Sequence, residues 1–544
     1  MPAAIPAPTP PALADHAAVR VLQAGAIAVV LMAAPYKLFD LDRFFVPKEL
    51  ALHVTALLAG VLCLARARKL SLGRADELLA LFLGLGILSA LFATNWWLAG
   101  RAVAVSLAGG ACFWAARSLA RRGLQRPLVA ALALAGVIGA ATALLQAYGV
   151  RTEYVSLNRA PGGTFGNRNF MAHLCVICLP ALALTALRSS SRNALLRWAG
   201  GVAIVAAALI LSRSRAAWLA LIVSAVAMLP LTLYALARGR DGIRMRRLLV
   251  LVVAAALGAG AALVIPNTLD WRSDSPYLDT AKSVVNYKEG SGHGRIVQYT
   301  TTLRMSLHHP LFGVGPGNWP VVYPHFAKDG DPSISSEGMT SNPWPSSDWM
   351  TFLSERGAPA FVVLALAMMA LLADGLRVLR DGVTADERLA ACALIGTLAV
   401  LLVAASFDAV LLLPVPALVA WALIGALSAP SRERRMLALP LPSRALLVLG
   451  VAVVLGAAAA HSVAELEAMN VVSMSSKLSA LERAVRLDPG SYRIRTRLAA
   501  AYYSRGNCAK ARVNALAAQQ LFPEAPAPKH MLAQCGRVSL RSSP

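Results

Sequence analysis

The sequence is poor in charged residues, and acidic ones are the scarcest. Of its 544 residues, 15% are charged and 57% are hydrophobic, whereas a soluble domain has about 25% charged and about 45–50% apolar residues. The 28 acidic residues are outnumbered by 52 basic ones, which gives a formal net charge of +24. A single soluble core does not explain this composition.

Features that would connect the positive charge to nucleic acid are also missing. The sequence has no zinc-ligand spacing, no recognition-helix signature and no basic tail. Most arginines lie instead in short loops between long apolar runs. Nucleic acid is therefore not an expected partner. A cleavable signal peptide is not evident either, and the first apolar run is predicted to be a signal anchor.

Long runs of Ala, Leu and Val recur from about residue 19 to about residue 461. Their lengths of about 17–25 residues match what a helix needs to cross the hydrocarbon core of a bilayer. They predict an all-α, polytopic membrane bundle of about 12–13 helices. The predicted spans are 19–36, 49–65, 77–94, 100–116, 128–149, 170–187, 198–212, 216–237, 248–265, 357–376, 389–406, 410–428 and 445–461.

Alternate loops between these spans differ in basic charge. The loops after the second, fourth, sixth, eighth, tenth and twelfth spans are rich in Arg and Lys. Because short basic loops stay in the cytoplasm, we expect a cytoplasmic N-terminus and a periplasmic tail in a bacterial inner membrane. The predicted organisation is a disordered N-terminus at 1–18, spans at 19–265, a large periplasmic loop at 266–356, spans at 357–461 and a helical tail at 462–544.

The tail differs in character from the membrane spans. Pro489 and Pro523 are 34 residues apart, which is the period of a tetratricopeptide repeat. One full repeat is visible, so we interpret the tail as a degenerate, TPR-like helical hairpin on the outer face. It serves there either as a glycan or partner contact or as a simple cap. Cys508 and Cys535 lie in this tail and are able to form a disulfide in an oxidising compartment. The other five cysteines lie in apolar runs, where they are expected to be small buried hydrophobes.

Arginine clusters on the predicted outer side are candidate anion sites. Arg213 and Arg215 lie in the turn SRSR between two apolar runs, and a guanidinium grips phosphate in a bidentate manner. The alternative is contact with lipid headgroups. His293, Arg295 and Arg304 precede a turn with Gly313, Gly315 and Gly317, followed by Asn318. This segment is compatible with a pocket for a phosphorylated lipid.

Two further segments carry polar groups at predicted helix starts. Arg168 and Asn169 follow a glycine-rich turn and supply donors, although a simple helix-capping turn explains the asparagines equally well. Asp348 and Glu355 lie seven residues apart and so on one helical face. A carboxylate there either acts as a general base, orients an arginine or forms a structural ion pair.

Four segments between about residues 160 and 365 resemble the O-antigen ligase/polymerase family of bacterial membrane glycosyltransferases. The segments are, in order, GTFGNRNFMAHL, LSRSRAAWLAL, GRIVQYTTTLRMSLHHPLFGVGPGNW and DWMTFLSERGAPAF. The resemblance implies a GT-C-like fold with its site on the outer face. It also implies transfer of a glycan from an undecaprenyl-pyrophosphate carrier, with no metal, cofactor or nucleotide sugar required. The acceptor is a lipid A-core sugar in ligases, a polysaccharide repeat unit in polymerases, and Ser or Thr in protein O-oligosaccharyltransferases.

The resemblance also suggests roles for individual residues. It implies that Arg215 and Arg295 contact the pyrophosphate of the carrier. The family's last motif begins with His-Asn, but Ser346 and Ser347 occupy those positions here, and Asp348 or His293 is a conceivable substitute. We therefore predict Arg215, Arg295 and Asp348 as catalytic. The predicted substrate-binding residues are Arg213, Arg168, Asn169, His293, Arg304, Asn318 and Glu355.

Functions of other classes stay open at this point. A transporter of lipid-linked substrates would show internal repeats and polar groups at the membrane midplane. The sequence shows no convincing repeat, and its polar residues gather at one face. A non-catalytic scaffold of envelope assembly is the third possibility, supported by the missing histidine. A protein-glycosylating enzyme remains the alternative within the enzyme class.

Overall fold

The computed structural model describes residues 12–156, 159–271, 273–282, 290–429 and 435–541. The first helix begins at Leu13, inside the segment predicted to be disordered. Its start is stabilised by Asp15, whose carboxylate accepts a hydrogen bond from the Ala12 amide at 2.9 Å. The rest of the predicted disordered segment, residues 1–11, lies outside the described residues.

Helices make up almost all of the regular structure. The first nine are α1 Leu13–Leu31, α2 Asp42–Leu64, α3 Arg74–Ala90, α4 Trp96–Leu119, α5 Gln125–Ala147, α6 Arg168–Leu187, α7 Arg192–Ser212, α8 Arg215–Arg238 and α9 Gly242–Val264. A long loop then carries α10 Pro276–Lys282, α11 Gly290–His308 and α12 Trp319–Phe326. The chain continues with α13 Asp348–Asp381, α14 Ala385–Phe407, α15 Pro414–Leu427 and α16 Leu441–Met474. The tail contains α17 Leu478–Leu487, α18 Tyr492–Tyr503, α19 Cys508–Leu521 and α20 Pro526–Arg541.

Within the described residues, ten helical segments are long and apolar enough to cross a membrane. One of them, Trp96–Ala147, contains both α4 and α5, which meet at Gly123 with a φ of 86°. The shorter helices α3 and α15 have 17 and 14 residues. Each of the thirteen predicted spans overlaps one of these helices. The chain is therefore a multi-pass helical membrane protein.

The turns between the long helices gather at two opposite ends of the bundle. One end, here called the loop face, carries the turns α1–α2, α3–α4, α5–α6, α7–α8 and α14–α15, together with the long loop and the tail. The Asn95 amide in the α3–α4 turn, for example, donates to the Leu521 carbonyl of the tail at 3.2 Å. The other end, the arginine face, carries the remaining turns, which are the basic ones.

A two-stranded sheet on the arginine face was not predicted. Strand β1, Lys69–Leu72, pairs antiparallel with β2, Arg435–Ala438. These residues lie more than 350 positions apart in sequence, so neither segment carries a local hairpin signal. The sheet ties the α2–α3 connection to the segment that leads into α16. It is a small addition to an otherwise all-α architecture.

The centre of the bundle consists of α6 and α15. Every residue of α15 is buried, and α6 is buried along most of its length. By contrast, α9 and the membrane-spanning part of α16 expose most of their apolar side chains, as expected for helices that face lipid. The N-terminus of α6 is thereby surrounded by protein, and it opens onto the loop face.

The tail forms four consecutive helices that pack on the loop face. Its inner side chains, including Leu481, Ile494 and Leu498, share an apolar cluster with Phe39 and Val46 of the α1–α2 region. A disulfide joins Cys508 to Cys535, whose Cα atoms are 5.4 Å apart, so the predicted pairing is confirmed. The tetratricopeptide character of this tail stays a prediction.

Candidate active site

The start of α6 places one arginine at the loop face. Asn167 caps the helix, and its side chain accepts a hydrogen bond from the Asn169 amide at 3.0 Å, so the predicted capping turn is present. Arg168 is the first helical residue. Its guanidinium lies 5.1 Å from the centre of the Trp271 ring. The site thus begins with a cation on an aromatic face, which is a favourable arrangement.

The turn between α7 and α8 places a second arginine, Arg213, against the same indole ring. Arg213 has a φ of 51°, a left-handed conformation that is uncommon for a residue with a side chain. Its guanidinium lies 4.6 Å from the Trp271 ring, and its Nε donates to Thr280 Oγ1 at 2.8 Å. Arg215 follows as the first residue of α8 and is half-buried. Trp271 therefore holds Arg168 and Arg213 together.

The surroundings of Arg213 affect its pKa in two directions. Burial lowers the pKa of the Arg213 guanidinium, whereas Tyr277 and Asp279 act to raise it. An additional anion beside this side chain would relieve the cost of burying its charge.

The helix α11 contributes Arg295, which is half-buried. The Nε of Arg295 is buried and has no hydrogen-bond partner in the described part of the chain. Arg295 lies within electrostatic range of Tyr299 and His173. Because His173 lies on α6, one turn beyond Asn169, Arg295 is close to the same end of α6 as Arg168.

Arg168 and Arg215 occupy the first positions of long helices, where a positive side chain is electrostatically unfavourable. The N-terminal end of a helix carries a partial positive charge and free backbone N–H groups. Cations there cost stability, but together with the helix ends they form a strong anion site. In the described residues, no carboxylate lies within ion-pair distance of Arg168, Arg213 or Arg295, although Asp279 acts on Arg213 at longer range. The arrangement is therefore suited to an external anion.

Asp348, predicted as catalytic, is fully buried and holds a loop in place. One of its carboxylate oxygens accepts from the Val410 amide at 2.9 Å, and the other accepts from the Leu411 amide at 2.6 Å. With both oxygens occupied, the carboxylate anchors the α14–α15 turn. This geometry favours a positioning role over the predicted catalytic one.

The side chains of Glu355 and Asn318 also form hydrogen bonds with backbone groups. Glu355 accepts from the Gly317 amide at 2.7 Å and from the Trp319 amide at 3.1 Å. The Asn318 side chain is fully buried and exchanges hydrogen bonds with both backbone groups of Asn95. The two residues clamp the glycine turn between α13 and the α3–α4 connection, so both hold the backbone in place, and their predicted contact with substrate stays a prediction.

The glycines of this turn are required by its close packing. Gly315 has a φ of 91°, and a Cβ there would lie 2.5 Å from the Cβ of Ala93. Gly357, where α13 is kinked, has a φ of 79°, and its Cβ would lie 2.1 Å from the Leu311 carbonyl oxygen. The predicted span starts at 357 whereas the helix starts at Asp348, because the first turns of the helix contain the polar residues Ser354, Glu355 and Arg356.

The remaining predicted site residues are not all brought together. His293 is exposed on α11. Arg304 is nine residues beyond Arg295, which corresponds to about 13.5 Å along a helix. Ser346, at the position of the family histidine, donates its amide to Gln298 Oε1 at 2.7 Å and accepts from the Tyr299 hydroxyl. This position therefore links the loop before α13 to α11.

A cavity of about 410 Å³ lies between the bundle and the tail, and sequence reasoning missed it. Arg101 of α4 lines this cavity, with its Nε donating to Glu49 at 2.8 Å. Asp42 and Glu465 lie 3.7 and 3.8 Å from the same guanidinium. Asp488 of the tail adds a further carboxylate to the lining, and burial raises the pKa of this carboxyl.

One signal for these residues was present in the sequence. Charged side chains within apolar runs are costly and therefore informative. Glu49 is the first residue of the predicted second span and Arg101 lies in the predicted fourth span, whereas Glu465 falls in the predicted tail. Trp271 had no comparable signal, because its importance depends on two arginines from different helices.

Residues 200–365 match the family model described as O-Antigen ligase. This stretch is similar to an O-antigen ligase domain. It includes Arg213, Arg215, Arg295 and the clamp formed by Asn318 and Glu355. Arg168 and the tail lie outside the match. No curated protein sequence matches the chain.

Proposed function

We propose that the protein is a metal-independent membrane glycosyltransferase of the O-antigen ligase/polymerase type. Its donor is a glycan on undecaprenyl pyrophosphate, and its acceptor lies at the same membrane surface. The observation that carries this proposal is the gathering of Arg168, Arg213 and Arg295 around the start of α6 without carboxylate partners in the described residues. The similarity to an O-antigen ligase domain supports the same reaction class.

The reaction needs charge stabilisation more than it needs a covalent intermediate. An acceptor hydroxyl oxygen bonds to the anomeric carbon of the donor, and the bond from that carbon to the phosphate oxygen breaks. The electron pair remains on undecaprenyl diphosphate, and the hydroxyl proton passes to water. Guanidinium groups fixed beside the diphosphate stabilise the negative charge that develops there.

Two independent observations support a periplasmic location for the loop face. The opposite face carries the basic loops, as expected for the cytoplasmic side. The tail on the loop face contains the Cys508–Cys535 disulfide, and such bonds persist in oxidising compartments. We therefore propose a bacterial inner-membrane protein with a cytoplasmic N-terminus and a periplasmic tail.

The transfer reaction is tested by removing arginines from the cluster. Arg295→Ala and Arg215→Ala should each lower transfer from the undecaprenyl-linked donor about a hundredfold or more, because each removes a fixed positive charge from the leaving group. Transfer is measured with purified protein in nanodiscs, and folding is checked by thermal unfolding.

Arg192→Ala is the matched control. Arg192 is also the first residue of a long helix, α7, but it is exposed on the arginine face. Its replacement should leave transfer unchanged. Full transfer by both cluster variants, or an equal loss in the control, would refute the proposed role of the arginines.

A further inference from the structure

The cavity between the bundle and the tail is separate from the arginine cluster but borders it. Trp344 lines the cavity, and its ring centre lies 6.3 Å from that of Phe170 on α6. Phe170 is two residues beyond Arg168. The loop of Trp344 continues to Ser346, which is bonded to α11 near Arg295. The side chains of Trp344 and Phe170 therefore lie between the cavity and the proposed donor site.

The cavity has an excess of negative charge. Five carboxylates line it, and two arginines and one histidine accompany them: Asp42, Glu49, Glu355, Glu465 and Asp488, with Arg101, Arg493 and His461. Arg101 already forms ion pairs with three of these carboxylates. Arg493 is exposed and donates to the Leu38 carbonyl at 3.1 Å.

Glu465 has unused hydrogen-bonding capacity. This residue is 8% exposed. Its Oε1 lies 3.8 Å from Arg101 Nη1 and 3.5 Å from His461 Nε2. Its Oε2 is buried and has no hydrogen-bond partner among the described residues. A buried carboxylate oxygen without a donor is costly, so a ligand with hydroxyl or ammonium donors would stabilise it.

Aromatic side chains form the remaining walls of the cavity. Trp97 is 43% exposed and stacks on His461 with ring centres 5.9 Å apart. Tyr492 of the tail and Trp344 of the long loop line the cavity from other sides. Aromatic rings offer flat apolar surfaces for the C–H faces of sugars, and carboxylates accept hydrogen bonds from hydroxyl groups.

We propose that this cavity binds the acceptor, and that the acceptor is a neutral or amino-bearing glycan rather than a phosphorylated one. The inference rests on the proposed transfer reaction. The five carboxylates attract hydroxyl and ammonium donors and repel phosphate. The tail supplies Asp488 and Tyr492, so it completes the acceptor site. Among the acceptors considered, the proposal favours a growing polysaccharide over the phosphate-rich lipid A core.

The test is binding of the purified full-length protein to an array of neutral, amino-bearing and phosphorylated oligosaccharides and serine-containing peptides. We expect binding to neutral or amino-bearing glycans. Glu465→Gln should weaken that binding about tenfold, because it removes a charge-assisted hydrogen bond. Glu467→Gln is the control, since this half-buried residue of the same helix is paired with Arg483.

The array separates failure of this inference from failure of the transfer proposal, because it requires no donor and no catalysis. Thermal unfolding and intact binding of undecaprenyl diphosphate show that Glu465→Gln is folded. Tyr492→Ala provides a second variant from the tail, with the same expected loss of glycan binding. Preference for phosphorylated glycans or peptides, absence of any glycan binding, or equal affinities for the two Glu variants would overturn the proposal.

Discussion

Arginine side chains at the two ends of the bundle have different partners. On the arginine face, the single carboxylate of Asp386 forms ion pairs with three arginines: Arg188 at 3.0 Å, Arg126 at 3.2 Å and Arg244 at 3.6 Å. On the loop face, Arg168 and Arg213 share an indole ring instead of a carboxylate. The arginines around Asp386 are thus neutralised by a carboxylate, whereas no carboxylate in the described residues forms an ion pair with Arg168 or Arg213.

The loop face itself contains a second contrast. Arg101 lies in the acidic cavity and is surrounded by carboxylates, whereas the cluster around Trp271 has none paired with it in the described residues. Adjacent regions of opposite charge suit a reaction with an anionic leaving group and a hydroxyl-bearing acceptor. Net charge alone would not show this, because the average over the chain is simply positive.

The largest expected effect concerns which face is periplasmic. A phosphatase reporter fused after residue 475 should be active, whereas the same reporter inserted at residue 383, in the α13–α14 turn, should be inactive. The physical reason is the retention of basic loops in the cytoplasm. Activity is measured in whole cells. The reverse pattern would place the arginine cluster on the cytoplasmic side and contradict the account.

A smaller effect should follow from removing the indole ring of Trp271, which Arg168 and Arg213 share. Trp271→Leu should raise the KM for the donor about fivefold, because a cation–π contact contributes about 1 kcal/mol. Trp114→Leu is the control, since Trp114 donates to Asp76 at 3.1 Å near the arginine face. The control should lower the melting temperature without changing the KM. An unchanged KM in Trp271→Leu would show that the ring does not organise the arginines.

Much of the bundle could be predicted from the sequence, because hydropathy over about 20 residues is a strong local signal. The tail disulfide followed from two cysteines in a polar segment. The roles of Asp348 and Asn318 could not be predicted in the same way. Both side chains bind backbone groups that are distant in sequence, and only the folded chain brings those groups within reach.

The acidic cavity illustrates the same limit. Glu49, Arg101 and Glu465 come from three different helices, and Asp488 comes from the tail. Each is visible as a charge in or near an apolar run. Their grouping depends on how α2, α4 and α16 pack, and no local pattern specifies that packing.

A structure of the protein with undecaprenyl diphosphate bound tests the central claim most directly. We expect the diphosphate at the loop face, beside the N-termini of α6 and α8, with Arg215 and Arg295 donating hydrogen bonds to its oxygens. A diphosphate bound at the arginine face or inside the acidic cavity, remote from both guanidinium groups, would contradict the account.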